Sequence, residues 1–171
     1  MKKLLLHACC APCSTAVIER LQGEYDLTVF FYNPCIEPEE EYLRRLAELE
    51  RLLGILNLPL IEGAYEPDRY LDAVRGLEHE PEGGARCAVC FEQRLAAAAA
   101  LPGYDLVTTT LTVSPHKNAA LINGIGKKLC GDRWLHSDFK KQNGYLRSIE
   151  LSKQYGLYRQ NFCGCVFSSR G

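Results

Sequence analysis

Long apolar runs are missing from this sequence: no stretch approaches the roughly 18 residues that a membrane-spanning helix needs. Residues 1–6 pair two lysines with three leucines, faintly in the manner of a secretion signal. The apolar run stops at His7 and gives way to cysteines, so a cytoplasmic chain without a membrane segment is expected. Net charge is also nearly absent, at −1, which argues against indiscriminate binding to nucleic acid. No internal repeat and no Pro/Gly/Ser-rich linker divides the 171 residues. The length fits one domain, residues 1–171, able to bury a core without disulfide staples. A glycine-rich turn after the first strand is absent too, and with it the backbone cradle a phosphate would use.

What the sequence has in excess is sulfur. Nine cysteines, an odd number, sit mostly in tight clusters, and in a reducing compartment such clusters favour metal or redox chemistry over structural disulfides. Charge is present but segregated: residues 1–115 hold 10 Lys/Arg against 18 Asp/Glu, and residues 116–171 hold 10 against 3. The basic C-terminal segment reads either as a solvated face or as an electrostatic footprint for a phosphate backbone.

Hydrophobic periodicity predicts alternating strands and helices. Residues 3–6, "LTVFFYN", "LPLIEG" and "YDLVTTTL" read as strands. Helices are predicted at "STAVIERLQGEYD", at "EPDRYLDAVRGL", at "RCAVCFEQRLAAAAAL", at "AALINGIGKKLCG" and around 146–155. A further helix follows "NPCIEP", with Tyr42, Leu43, Leu46, Leu49, Leu52 and Leu53 on one stripe and Gly54 closing it. "EHEPEGGA" reads as a loop. Such alternation implies an α/β fold with a parallel sheet covered on both faces, whose working site lies beyond the carboxyl ends of the strands.

That places Cys9 and Cys10 at the mouth of the first strand and Cys13 near a helix start, where the dipole favours thiolate. Cys87 and Cys90, three apart on a helix, lie on one face and can grip one centre. Cys163-Gly164-Cys165 offers either a reversible disulfide or two ligands for one ion, with Gly164 removing an obstructing side chain. Cys130, alone at the end of an apolar helix, reads as a core residue. Cys35, in a turn, reads either way. Zinc usually takes two Cys-x-x-Cys-like knuckles. The adjacent pair Cys9-Cys10 suits a cubane better, because each thiolate can hold a different iron. Four thiolates satisfy such a cluster and leave Cys163 and Cys165 as a separate pair.

The segments "LLLHACCAPCST", "FFYNPCIEPEEEY", "RCAVCFEQRL", "LVTTTLTVSPHKN" and "DFKKQNGYLRSIELSKQYGLYRQNFCGCVFS" together resemble the epoxyqueuosine reductase QueH family, in order and over nearly the whole chain. Cys35 stands where that family generally has asparagine. The resemblance implies reduction of epoxyqueuosine to queuosine at the wobble position of tRNA, without cobalamin, as the last step of queuosine synthesis. It implies a three-layer α/β sandwich related to the adenine-nucleotide α-hydrolase-like (HUP-type) group. By motif, Cys9, Cys10, Cys87 and Cys90 would hold a [4Fe–4S] cluster. Cys163 and Cys165 would form a redox-active pair or hold a second, mononuclear iron, and an unidentified donor would supply electrons.

On that reading Asp138 would complete a ligand set or donate a proton, against the plainer role of a helix cap or lysine partner. Lys140, Lys141, Arg147 and Arg159 would contact tRNA phosphates, with Tyr145 and Tyr158 stacking on a flipped base or acting as acids. Cys13 would sit beside the ligands, and His116 would cap a helix. Competing readings are a non-catalytic iron–sulfur or zinc RNA-binding module and a thiol-disulfide oxidoreductase.

Overall fold

Strands and helices alternate along the computed structural model, which describes residues 1–160 and 163–168. The order is β1 (Lys3–His7), α1 (Ala11–Leu21), β2 (Asp26–Phe31), α2 (Glu39–Leu56), β3 (Leu60–Glu62), α3 (Pro67–Ala73), α4 (Ala85–Ala100), β4 (Leu106–Thr109), α5 (Ala119–Cys130) and α6 (Gly144–Tyr155). The strands make one parallel sheet in the order β3-β2-β1-β4, with Leu4 opposite Leu27 and Leu106, and Leu6 opposite Val29 and Thr108.

Side-chain alternation on the strands builds two cores. Leu4, Leu6, Val29 and Phe31 face a layer made by α1, α2 and their neighbours, where Val17, Ile18, Leu49, Leu52 and Leu53 are buried. Leu5, Phe30 and Val107 face the other way, onto Phe91 and Leu95 of α4 and Ile122 of α5. Helices on both faces of a parallel sheet make the three-layer α/β sandwich that the sequence pattern implies. Among the described residues no helix is long and apolar enough to cross a membrane.

Three local expectations change. Helix α1 starts at Ala11 rather than Ser14, because Pro12 in the first turn is tolerated where the N–H has no helical partner. Gly54 does not stop α2. The helix runs on to Leu56 and ends where Asn57 adopts a left-handed conformation at φ 58°. Leu43 is 53% exposed and faces solvent, whereas Tyr42, Leu49, Leu52 and Leu53 form the buried stripe.

Strand β1 is flanked by β2 on one side and β4 on the other, so the chain reverses its winding between β1 and β4. Open α/β sheets bind ligands at that switch point, beyond the carboxyl ends. Cys9, two residues after β1, and Thr110, immediately after β4, meet there.

Candidate metal and redox site

Cys9 bends away from the end of β1, and Cys10, in extended conformation, is the N-cap of α1. Cys13 falls in that helix's first turn, which returns its sulfur toward the strand end. The Sγ atoms of Cys9, Cys10 and Cys13 lie within 4.8 Å of one another, with Cys9 and Cys10 3.9 Å apart. The Cys9 backbone N–H donates to Thr110 Oγ1 at 3.3 Å, and its sulfur lies 3.5 Å from the same hydroxyl. Hydrogen bonding with the Cys10 and Cys13 thiols favours the Cys9 anion, and Lys117 adds positive charge nearby. Together they hold the Cys9 thiol well below its ordinary value despite burial. Cys13, donating to Cys10 and Cys9, is pushed well above. The three thiols can hold a metal ion, and the lowered Cys9 thiol is the one whose surroundings favour the anion that ligates.

His7 closes the floor of this corner. Its Nε2 faces the Tyr32 carbonyl at 3.1 Å and its Nδ1 faces Thr109 Oγ1 at 2.9 Å. A carbonyl only accepts, so Nε2 carries the proton and Nδ1 accepts from the threonine hydroxyl. Complete burial, with the Arg94 charge adding to it, lowers the imidazole to about 4 and keeps it neutral.

A second set of sulfurs lies alongside. Cys35 (in the β2–α2 loop), Cys87 and Cys90 (in α4), and Cys163 and Cys165 line one cavity with Tyr70. Cys9, Cys13 and Cys163 line an adjoining cavity of about 200 Å³. Cys163, Glu82, Arg94, His116 and Lys117 border both. Arg94 is buried at the junction, its Nη2 donating to the Cys35 sulfur at 2.6 Å. Burial opposes its charge, but the sulfurs of Cys35, Cys90 and Cys9 hold the guanidinium protonated. The Cys35 thiol donates to Cys90, lowering Cys90 and raising itself. The Tyr70 hydroxyl lies 2.8 Å from Cys165 Sγ. Burial pushes the Cys165 thiol up, and the tyrosine O–H donating to it pulls the other way.

The structure therefore brings Cys9, Cys10, Cys87, Cys90, Cys163 and Cys165 into one region, together with Cys13 and Cys35. Cys130 lies apart, buried at the end of α5. Sulfur donors in this number, gathered beside a buried guanidinium, have the chemistry that iron–sulfur centres and zinc take.

The remaining sequence candidates separate. Asp138 is not brought to the sulfurs: it borders a different cavity with Arg20 and Lys141. It pairs with Lys140 at 3.5 Å and accepts that residue's backbone N–H, the plainer of its two expected roles. Lys140 is an internal strut, its Nζ donating to the carbonyls of Thr112 and Lys117. Arg147 is paired with Glu19 and Glu150, both at 2.8 Å. Tyr158 donates to the Glu41 carboxylate under the Arg44 guanidinium. Lys141 is exposed. Only Tyr145 and Arg159 of this set line the 200 Å³ cavity, the guanidinium 5.9 Å from the ring centroid.

Arg94, Lys117, Arg45, Tyr70 and Glu82 were not singled out by sequence. For Arg94 a signal existed: it lies four and seven residues after Cys90 and Cys87, on one face of α4.

Comparison with known proteins gives a concordant result. A family model described as "Epoxyqueuosine reductase QueH" matches residues 4–171. A protein of that name from Streptococcus pyogenes serotype M1 is 44% identical over 179 residues, covering 98% of this chain and 70% of its own length. One from Staphylococcus epidermidis is 45% identical over 181 residues, with 98% and 76% covered. One from Thermotoga maritima is 35% identical over 177 residues, with 98% and 91% covered.

Proposed function

This chain belongs to the epoxyqueuosine reductase QueH family, and we propose that its two sulfur-lined cavities are where epoxyqueuosine, carried at the wobble position of tRNA, is reduced. The enzyme is an oxidoreductase acting at the last step of queuosine synthesis. Converting the epoxide to an alkene consumes two electrons and two protons and releases water. The observation that carries the reading is the convergence of sulfurs from separate parts of the chain around Arg94.

In this reading Cys9, Cys10, Cys87 and Cys90 hold a [4Fe–4S] cluster, with Cys13 beside it. Cys163 and Cys165 form a redox pair or hold a second iron. When bound, such a centre supplies electrons singly from a donor, in a reducing cytoplasm that keeps the thiols free. The chain's own residues do the rest. Arg94 fixes positive charge where the thiolates gather, and Lys117 presents an ammonium to the cavity where oxygen leaves carbon, stabilising developing negative charge. Tyr145 and Arg159 at the cavity wall offer a ring and a planar cation on which an unstacked base can rest. Of the basic side chains, Lys141 remains for phosphate contact, whereas Lys140 donates to backbone carbonyls and Arg147 is paired with Glu19 and Glu150 at the surface. Asp138, paired with Lys140, is left out of this reading.

Anaerobically purified protein should contain iron and acid-labile sulfide and consume epoxyqueuosine in tRNA with a chemical reductant. Serine at Cys87 and Cys90 should remove both colour and turnover. Turnover surviving those changes would point instead to a thiol-disulfide reaction at Cys163 and Cys165.

A further inference from the structure

The segment carrying Cys163 and Cys165 belongs to no strand or α-helix, so its position has to be imposed by the elements around it. Arg45 lies mid-way along α2 and is only 2% exposed. Its Nε donates to Glu41 Oε1 at 2.8 Å, and its Nη1 donates to the Cys163 carbonyl at 2.7 Å. Burying a guanidinium is costly unless its donors are matched. Here a planar fork reaches a carboxylate and a peptide oxygen at once, which a lysine ammonium on a flexible stem does not do in fixed register.

Two further observations converge on the same spot. The Glu37 N–H donates to the Gly164 carbonyl at 2.9 Å, and Ile36 and Cys165 form an antiparallel bridge, so the loop before α2 holds the segment by its backbone. Gly164 adopts φ +110°, and a Cβ there would lie 2.7 Å from Arg45 Nη1 and 2.8 Å from Ile36 Cγ1. Glycine at 164 and arginine at 45 therefore fit one another: the approach that lets Nη1 reach the Cys163 carbonyl excludes any side chain between the two cysteines.

We propose that Arg45 is a positioning residue for the reduction, setting Cys163 and Cys165 at the cavity through the Cys163 carbonyl, with Glu41 orienting the guanidinium and Gly164 admitting it. The inference rests on the reading of Cys163 and Cys165 as the working pair. It explains why "PEEEY" is followed by a buried arginine, a feature that fold alone does not require.

The test uses full-length, anaerobically purified enzyme as Arg45→Lys, Gly164→Ala and Arg51→Ala. Arg51 is a comparator on the same helix that donates to the carbonyls of Tyr155 and Gly156. A displacement near 1 Å at a reacting group lowers turnover about 100-fold, so both Arg45→Lys and Gly164→Ala should lose kcat on that scale with KM unchanged. Amide exchange at residues 36–37 and 163–166 should quicken about tenfold, the equivalent of roughly one lost hydrogen bond. Exchange in α1 and turnover of Arg51→Ala should stay at wild-type values. Wild-type kcat and exchange in Arg45→Lys overturn the proposal, and so does a raised KM at unchanged kcat, which marks a substrate contact instead. If Arg45→Lys does not fold, Gly164→Ala decides by the same readouts. Full turnover in Cys163→Ser removes the underlying reading of the pair, whereas altered exchange in the Arg45 variant would still show that it holds the segment.

Discussion

The two sulfur groups are built in opposite ways. Cys9, Cys10 and Cys13 are gathered by five consecutive residues: a strand ends, a helix begins, and the first turn brings the third sulfur back to the other two. Cys163 and Cys165 are placed by residues more than a hundred positions away, through the Arg45 guanidinium and the Glu37 amide. One group is a property of a turn; the other is a property of the whole tertiary structure. Changes within the first should act on metal and chemistry with little effect on folding. Changes around the second should act through packing.

The largest effect is expected within the local group. Cys9→Ser removes the sulfur whose thiol its neighbours hold well below the ordinary value, and metal content and turnover should both be lost while the unfolding midpoint of metal-free protein barely moves. Iron analysis with chemical denaturation checks this, and retained metal would show that Cys9 is dispensable as a ligand. At the junction of the groups, Arg94→Leu deletes the cation facing both, and breaking a buried charged contact costs about 3 kcal/mol. Urea unfolding of the metal-free protein should register that loss.

Smaller is the effect of Thr110→Val, which keeps the shape but removes the acceptor for the Cys9 N–H, at about 1 kcal/mol. It should leave the second group untouched, as amide exchange at residues 163–166 would report. Smallest is Glu19→Gln on the outer face of α1. Arg147 donating to Glu19 holds that carboxyl below its ordinary 4.5, so the contribution is present above that pH and fades as acid titrates the folded-state carboxylate. A comparison of wild type and variant between pH 7 and pH 3 should show their small difference in melting temperature closing at the acid end, and high salt should erase it.

The same division governs what could be read in advance. The apolar run Leu4-Leu5-Leu6 breaking into cysteines announces a strand end, and helical spacing places Cys87 with Cys90, so these two placements were visible in one dimension, whereas that of Cys163 and Cys165 was not. The parallel sheet followed from strand–helix alternation for the same reason. Helix ends were less legible: Pro12 looks like a breaker but suits a first turn, and Gly54 is carried inside α2 because packing of the Leu49–Leu52–Leu53 stripe outweighs its entropy. The basic segment was the least legible. Glu150, three residues on in the same helix, is a partner that spacing alone could suggest for Arg147, but the carbonyls that occupy Lys140 and the Glu19 carboxylate that pairs with Arg147 come from distant elements. Asp138 was drawn to the site by its type alone, and its neighbour Lys140 claims it.

A single guanidinium stands between the two cavities, and its proton does not leave. A negative charge introduced into either cavity is therefore met by the same fixed cation, and in a poorly screened interior each cavity feels the charge of the other through it.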